Sequence, residues 1–220
     1  MLVPMRAILD AADKNGYAQG AFNVNAVCQV KAAVDVHQIL RSPAIIQGAD
    51  LANGFMGGRT DFANSTLEDK KAGAKNIGAA VKKYAADSDI PVALHLDHGK
   101  NFDSCIAAIE GGYTSVMIDG SSLPFDENVE LTREVVKYAH ERGVTVEGEL
   151  GVLAGVEDHV FAATSTYTNP LSAIDFFKKT GVDALAISYG TMHGANKGKN
   201  AVIRKEIAIA IKECMLHEGI

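Results

Sequence analysis

The fold is decided by residues 91–99, which have the sequence PVALHLDHG. A proline followed by a short apolar run predicts a buried strand. The run ends on Asp97 and His98, and adjacent strand residues point to opposite faces. The two side chains can therefore serve one site only where the strand gives way to a loop. Because α/β proteins keep their chemistry at the ends of parallel strands, we predict that this strand carries a metal ligand and an acid/base group.

Similar strand patterns recur along the chain and alternate with helical ones. The predicted strands cover residues 19–25, 43–47, 91–99, 114–119, 144–150 and 184–189. Residues 48–69 and 151–169 lack clear periodicity and are predicted to be long loops. Asp126 is expected to cap a helix, and Pro170 is expected to begin one. The strict alternation predicts a parallel α/β sheet, and no GxGxxG follows the first strand to favour a dinucleotide-binding one.

The fold class that these patterns favour is α/β, and within it the (β/α)8 TIM barrel. Such a barrel usually needs about 250 residues and eight units. The patterns here give only six βα units in 220 residues. We therefore expect a single barrel domain over residues 1–220 that is truncated at its carboxyl end. Its two unpaired sheet edges would favour self-association.

Composition excludes several classes of function. A formal charge of -6 without any basic stripe argues against nucleic acid as a partner. No apolar run approaches the ~20 residues of a membrane span, and no signal peptide is recognised, so we expect a cytoplasmic protein without a membrane partner. Cys28, Cys105 and Cys214 are scattered through helical patterns and are predicted to be buried free thiols.

Ionisable residues finish four successive predicted strands. They are Asp97 with His98, Asp119, Glu149, and His193 in the turn after the last strand. In a barrel these ends converge on one mouth, although they are distant in sequence. Any one of them alone favours a structural role, such as helix capping for an aspartate. Together, two imidazoles with carboxylates predict a metal site, and zinc suits that ligand set.

Two further features lie next to these strand-end residues in the sequence. His95 alternates with Asp97 and belongs to the strand interior, so we interpret it as packed or as supporting a ligand. The loop from Gly194 to Lys199 combines glycines with two lysines. That combination suits a phosphate, while a solvated basic turn is an equal alternative.

At these residues the sequence resembles the class II, zinc-dependent fructose-bisphosphate aldolases, and the resemblance runs over the whole chain. The matching motifs, in order, are AFN at 21–23, LHLDHG at 94–99, SVMIDGS at 115–121, EGELG at 147–151 and GTMHG at 190–194. The resemblance implies reversible cleavage of fructose 1,6-bisphosphate to dihydroxyacetone phosphate and glyceraldehyde 3-phosphate. Zinc would polarise the carbonyl and stabilise the enediolate, the task that a lysine Schiff base performs in class I enzymes.

The resemblance also implies a role for each residue of the metal site. His98 and His193 would be zinc ligands, and Glu149 an alternative ligand or supporting carboxylate with Asp119 close by. Asp97 would be the acid/base group that handles the proton of the C4 hydroxyl.

The remaining implied roles concern the substrate. Glu157 matches the loop glutamate that exchanges a proton at the enediolate carbon. Gly194 and Lys197 fall where the family holds the dihydroxyacetone-phosphate end and a monovalent cation such as Na⁺ or K⁺. Asn23 matches a substrate-site asparagine, whereas Ala49 stands where the family often has a serine. The family's third zinc histidine, on a later strand, has no counterpart in the sequence.

Several alternatives remain open at this point. A tagatose-bisphosphate aldolase shares the metal and the mechanism and differs in configuration at C4. A non-catalytic barrel that binds a sugar phosphate is a second alternative, and an inert shortened chain is a third. The partner that we expect is a small sugar bisphosphate, and the family suggests a homo-oligomer, either a dimer or a tetramer.

Overall fold

A computed structural model describes residues 1–152, 166–194 and 201–220 in full, and the backbone of residues 155–157 and 160–162. The helices of these residues are α1 Met5–Asn15, α2 Val27–Leu40, α3 Asp50–Met56, α4 Leu67–Ala86, α5 Phe102–Glu110, α6 Phe125–His140, α7 Pro170–Thr180 and α8 Lys205–Glu218. The strands are β1 Ala21–Asn23, β2 Ala44–Ala49, β3 Val92–Gly99, β4 Ser115–Ile118, β5 Thr145–Leu150, β6 Gly155–Glu157, β7 Val160–Ala162 and β8 Ala184–Ile187.

Six of the strands form one parallel sheet in the order β1-β2-β3-β4-β5-β8. This order confirms the prediction of a parallel α/β sheet and makes the chain a partial TIM barrel. Helices α2 and α4 to α7 bury their apolar sides against one face of this sheet, where Ile46, Leu94 and Val146 have no exposed surface. We call the opposite face, which faces the barrel interior, the inner face.

Helix α1 lies across the amino ends of the central strands on the inner face. Met5 and Ile8 are buried against Ile45 and Ala93 of β2 and β3. The backbone N–H of Arg6 donates to Oγ1 of Thr145, the first residue of β5, at 3.1 Å. The helix therefore covers the bottom of the barrel interior and leaves the carboxyl ends of the strands open.

Two predicted loops contain regular structure. Residues 48–69 include α3 and a short 3₁₀ helix, Phe62–Asn64, so the prediction of a structureless segment was wrong. Tertiary contacts stabilise α3 where periodicity gave no signal: buried Asp50 accepts hydrogen bonds from Lys70 and Ser104. Residues 151–169 include the antiparallel pair β6 and β7.

Three smaller predictions also need comment. Helix α6 begins at Phe125 behind Pro124, so Asp126 lies in its first turn and is not the cap. Pro170 does begin α7, where the Asn169 side chain caps the helix. Cys28 is exposed, contrary to the prediction of a buried thiol, whereas Cys105 is buried. Among the described residues, none of the helices combines the length and apolarity needed to cross a membrane.

Strand β3 contains an irregularity close to its carboxyl end. Its pairing with β4 shifts register between Leu96 and Gly99, and His98 has a φ of +47°. Left-handed backbone is costly for a residue with a side chain and is common at functional positions. Gly99 is required here because a Cβ atom would lie 2.5 Å from the carbonyl oxygen of Met117. The strand thus continues through a bulge, and no loop is needed to bring Asp97 and His98 to one site.

Candidate metal centre and active site

His98, Asp119 and Glu149 form a cluster at the carboxyl ends of three adjacent strands. Nδ1 of His98 lies 3.0 Å from Oδ2 of Asp119 and 3.5 Å from Oε2 of Glu149. One potential ligand atom from each of the three residues lies within 4.8 Å of the others. Strands β3, β4 and β5 pair side by side, so their ends bring together residues that are up to 51 positions apart in sequence.

The two carboxylates are held differently. Asp119 follows β4, and its Oδ1 accepts hydrogen bonds from the backbone N–H and the hydroxyl of Ser121, at 3.0 and 2.7 Å. Glu149 lies within β5 and is only 3% exposed. Its Oε2 is buried and has no hydrogen-bond partner among the described residues. Since a buried carboxylate oxygen without a partner is costly, this atom is available to a ligand that fits the cluster.

The pKa values of the three residues in the cluster are shifted in different directions. Burial alone lowers the pKa of His98, but the hydrogen bond with Asp119 and the charges of the nearby carboxylates outweigh it and raise that pKa to about 9. Burial raises the pKa of Asp119, yet its hydrogen bonds with His98 and Ser121 leave it below its usual value. For Glu149, burial and then the charge of Asp119 raise the pKa to about 8.

His193 lies beside this cluster, in the turn after β8. It is 8% exposed, and its ring meets the ring of His98 edge to face, with centroids 5.0 Å apart. Gly194, the next residue, has a φ of +84°, which a residue with a side chain rarely adopts. The structure therefore brings the second predicted histidine to the first.

Asp97 lies next to the metal cluster on β3 and is 9% exposed. Its Oδ2 accepts a hydrogen bond of 3.2 Å from Nδ2 of Asn23, at the end of β1. The side-chain oxygen Oδ1 of Asn23 in turn accepts a hydrogen bond of 3.1 Å from Nε2 of Gln47 on β2. Asn23 is predicted by resemblance to contact the substrate, whereas no sequence pattern predicts a role for Gln47. The strand register indicates that Gln47 belongs to the site, because Gln47 pairs with both Asn23 and His95 in the sheet.

A second polar group lies deeper on the inner face. Nδ1 of His95 is 2.8 Å from Oγ of Ser115, and its Nε2 is 3.3 Å from Oε2 of Glu147. Burial, and then the charge of His98, lower the pKa of His95 to about 3, so its ring is neutral. Burial and then the charge of Asp97 raise the pKa of Glu147 to about 7. The sequence placed His95 in the strand interior, and its packing against Ser115 agrees with that interpretation.

A cavity of about 460 Å³ opens on the inner face and is lined by side chains of both polar groups. Its polar lining includes Asp97, His98, Glu147, Glu149 and His193, and α1 contributes apolar lining. No lysine or arginine lines it among the residues that the structure describes. The described lining is therefore acidic, and His98, with its raised pKa, supplies a cationic group in it.

Two predicted site residues cannot be placed in this geometry. The backbone of Glu157 ends β6, and the side chain of this residue lies outside the described part of the chain. Lys197 lies outside the described residues altogether. Their roles stay predictions.

The donor set fits a metal ion. An imidazole and two carboxylates within 4.8 Å are ligands that zinc and related divalent ions accept, and one carboxylate has a buried oxygen without a hydrogen-bond partner among the described residues. His193 adds a second imidazole at the same place. A cation there would also offset the charge of carboxylates that are otherwise held close together.

Comparison with known proteins identifies relatives of this chain. The family model described as class-II fructose-bisphosphate aldolase matches residues 3–219. The fructose-bisphosphate aldolase of Treponema pallidum is 48% identical over 200 residues, which make up 89% of this chain and 56% of that protein. The Geobacillus stearothermophilus fructose-bisphosphate aldolase is 40% identical over 200 residues, or 90% of this chain and 64% of the relative. The chain thus spans between about half and two thirds of the length of these curated relatives.

A solved structure shows the same fold. The YdjI aldolase from Escherichia coli K12 superposes with a TM-score of 0.75 at 29% identity, over 97% of this chain and 69% of that one. The family model covers nearly every residue, and its match agrees with the six-stranded parallel sheet. The chain belongs to the class-II fructose-bisphosphate aldolase family.

Proposed function

We propose that this chain carries the metal-binding and acid/base residues of a class II aldolase site that cleaves fructose 1,6-bisphosphate reversibly to dihydroxyacetone phosphate and glyceraldehyde 3-phosphate. The observation that carries the proposal is the meeting of His98, Asp119 and Glu149 at adjacent strand ends, with Asp97 beside them. Membership of the family and the names of the relatives support the same reaction.

Zinc is the cofactor that we propose for this cluster. His98, His193 and Glu149 would hold the ion, with Asp119 as a further ligand or as the group that orients His98 through Nδ1. When bound, the metal supplies a Lewis acid that polarises the substrate carbonyl. The sequence also suggests a monovalent cation near Gly194 and Lys197, which is part of the same proposal.

Asp97 is the acid/base group in this proposal. Its carboxylate lines the cavity beside the metal cluster and can take a proton from a substrate hydroxyl or return it. The Asn23 amide donates to Oδ2 and thereby leaves the other oxygen, Oδ1, for that proton. The second acid/base role, assigned to Glu157 by resemblance, is proposed on the sequence alone.

Phosphate recognition is assigned to the loop after His193. Because the described cavity lining offers no lysine or arginine, the phosphates need cations from elsewhere. We propose Lys197 with the Gly194 backbone for the dihydroxyacetone-phosphate end. Homo-oligomerisation and a cytoplasmic location belong to this proposal as well, and light scattering after size-exclusion chromatography measures the former.

The deciding experiment is fructose 1,6-bisphosphate cleavage by the 220-residue chain, first as purified, then after chelation and again after zinc is restored. We expect cleavage that chelation removes and zinc returns. Asp97→Asn should abolish it at full zinc occupancy, whereas Asp87→Asn, an exposed aspartate after α4, should not change it.

Two results would contradict the proposal. Cleavage that survives complete removal of the metal would exclude the metal-dependent reaction. A zinc-loaded chain that binds the sugar bisphosphate without cleaving it would favour the non-catalytic barrel. Parallel rates on tagatose 1,6-bisphosphate distinguish the two sugars, since the family reaction differs between them only at C4.

A further inference from the structure

His95 contacts Ser115 through one ring nitrogen and Glu147 through the other, and the three residues lie on three neighbouring strands. Oγ of Ser115 lies 2.8 Å from Nδ1 of His95, and Nε2 of His95 lies 3.3 Å from Oε2 of Glu147. Ser115 has no exposed surface and His95 is 3% exposed, but the Glu147 side chain is 22% exposed. This series of contacts therefore begins with Ser115 in the core and ends with Glu147 at the cavity.

The order of these contacts excludes one familiar interpretation. A serine, a histidine and a carboxylate in contact are the parts of a hydrolase triad, in which the serine must reach the substrate. Here the serine is the buried end, and its hydroxyl also lies 3.7 Å from Sδ of Met5 in α1. The carboxylate is the end that lines the cavity. The contacts thus hold Glu147 in place, and Glu147 is the group that can meet a ligand.

Charge decides which part of a ligand Glu147 can accept. The described lining holds the carboxyl groups of Asp97, Glu147 and Glu149 and contains no lysine or arginine, so a phosphate group at this depth would lie among acidic side chains without the cations that usually bind it. A neutral hydroxyl can instead donate a hydrogen bond to a carboxylate, and such charge-assisted bonds are strong in buried sites.

We propose that Glu147 is an additional substrate-contacting residue of this site, which accepts a hydroxyl from the carbon chain of the sugar phosphate, and that His95 is the positioning residue that turns it toward the cavity. The inference rests on the proposed function, since it names how the same site holds its substrate. It assigns the polyol part of the substrate to the deep cavity and leaves the phosphates to the mouth.

The first test compares Glu147→Gln with wild type in the zinc-loaded chain. The substitution keeps the volume and removes the charge, so we expect KM for fructose 1,6-bisphosphate to rise about tenfold or more. Zinc affinity should stay within about twofold, because Glu147 is not part of the metal cluster. Glu134→Gln, an exposed glutamate on α6, is the matched control and should leave KM unchanged.

The second test addresses the positioning role of His95. Glutamine at this position can present an N–H near the place of Nε2, whereas leucine cannot. We expect His95→Gln to retain most of the wild-type KM and His95→Leu to resemble Glu147→Gln. Ser115→Ala should shift the ¹⁵N resonances of His95 toward a mixture of tautomers, a signature that a purely structural role does not predict. In the Glu147→Gln background, Ser115→Ala should not raise KM further.

The possible outcomes separate this inference from the proposed function. Cleavage by wild type with an unchanged KM in Glu147→Gln overturns the inference and leaves the aldolase proposal standing. If wild type binds fructose 1,6-bisphosphate without cleaving it, the aldolase proposal fails, and calorimetric binding by Glu147→Gln then decides the inference. Absence of binding by zinc-loaded wild type overturns both. An unaltered His95 tautomer in Ser115→Ala overturns the positioning role alone.

Discussion

The two ends of the parallel sheet treat buried charge in opposite ways. At the amino end, Asp183 accepts hydrogen bonds from the backbone N–H of Val146, from His140 and from Arg6, at 2.8, 2.9 and 3.0 Å. Burial raises the pKa of Asp183, but these three bonds lower it below its usual value. Asp183 lies three residues after Thr180, the last residue of α7, and its hydrogen bonds connect it to α1, α6 and β5. Here the charge is satisfied and serves stability.

At the carboxyl end the charges are close together and incompletely satisfied. Glu149 has a pKa raised to about 8 by burial and the charge of Asp119, and its Oε2 lacks a hydrogen-bond partner among the described residues. His98 occupies left-handed backbone in the β3 bulge. Such features cost stability, and proteins retain them where a ligand or a reaction uses them. One sheet thus keeps its stabilising charges at the amino end and the residues that we propose for function at the carboxyl end.

The largest expected effect comes from Glu149→Gln. If the carboxyl end serves metal binding, zinc affinity should fall on the order of 100-fold, because a charged ligand becomes a neutral amide. The free energy of unfolding of the metal-free chain should not fall, since burial already disfavours the ionised carboxylate. Calorimetric zinc titration and thermal unfolding measure the two quantities. Loss of stability without loss of zinc affinity would contradict the division between the ends.

Asp183→Ala is the corresponding change at the amino end. It leaves the Val146 N–H and the His140 and Arg6 side chains without their acceptor, so the free energy of unfolding should fall by about 1–3 kcal/mol. Zinc affinity should not change. Asp10→Ala is the control: its side chain is 68% exposed in a surface pair with Arg6, and we expect a change within about 0.5 kcal/mol. Equal losses of unfolding free energy in Asp183→Ala and Asp10→Ala would contradict the proposed contribution of Asp183 to stability.

Lowering the pH should reduce the free energy of unfolding through protonation of Asp183. A carboxyl whose folded pKa is lowered contributes stability above its unfolded pKa and loses it as the pH falls through the folded value. We therefore expect wild type to lose more stability between pH 7 and pH 3 than Asp183→Asn does. Urea unfolding at a series of pH values measures this difference. Parallel pH curves for the two proteins would show that Asp183 has no part in acid sensitivity.

The smallest expected effect compares two strained residues. His98 and Arg41 are the non-glycine residues with positive φ in the described chain, and Arg41, at +52°, ends helix α2 far from the site. Arg41→Gly should raise the free energy of unfolding by up to about 1 kcal/mol, because glycine adopts this conformation without steric cost. Thermal unfolding detects the gain, and zinc affinity should be unaffected. A loss of stability would mean that the Arg41 side chain contributes more than its backbone costs.

Much of the fold could be predicted because its signals are local. Apolar runs behind turn residues gave all six parallel strands within a few residues of their observed bounds. Asp119 and Glu149 were identified because polar residues at strand ends are unusual. Helix α3 was missed because it is short, and it depends on Asp50 meeting Lys70 and Ser104 from other helices. Such contacts leave no periodic trace in the sequence.

Local residue patterns are enough to predict which chemical groups the strands carry and in which order they come along the chain. How those groups meet depends on the assembled sheet. The β3 bulge brings His98 to Asp119 and Glu149, and the assembled sheet brings His95 into contact with both Ser115 and Glu147. Sequence periodicity indicates which face of a strand or helix is buried. Bulges, strand register and contacts between distant strands depend instead on tertiary packing, which exists only in the assembled sheet.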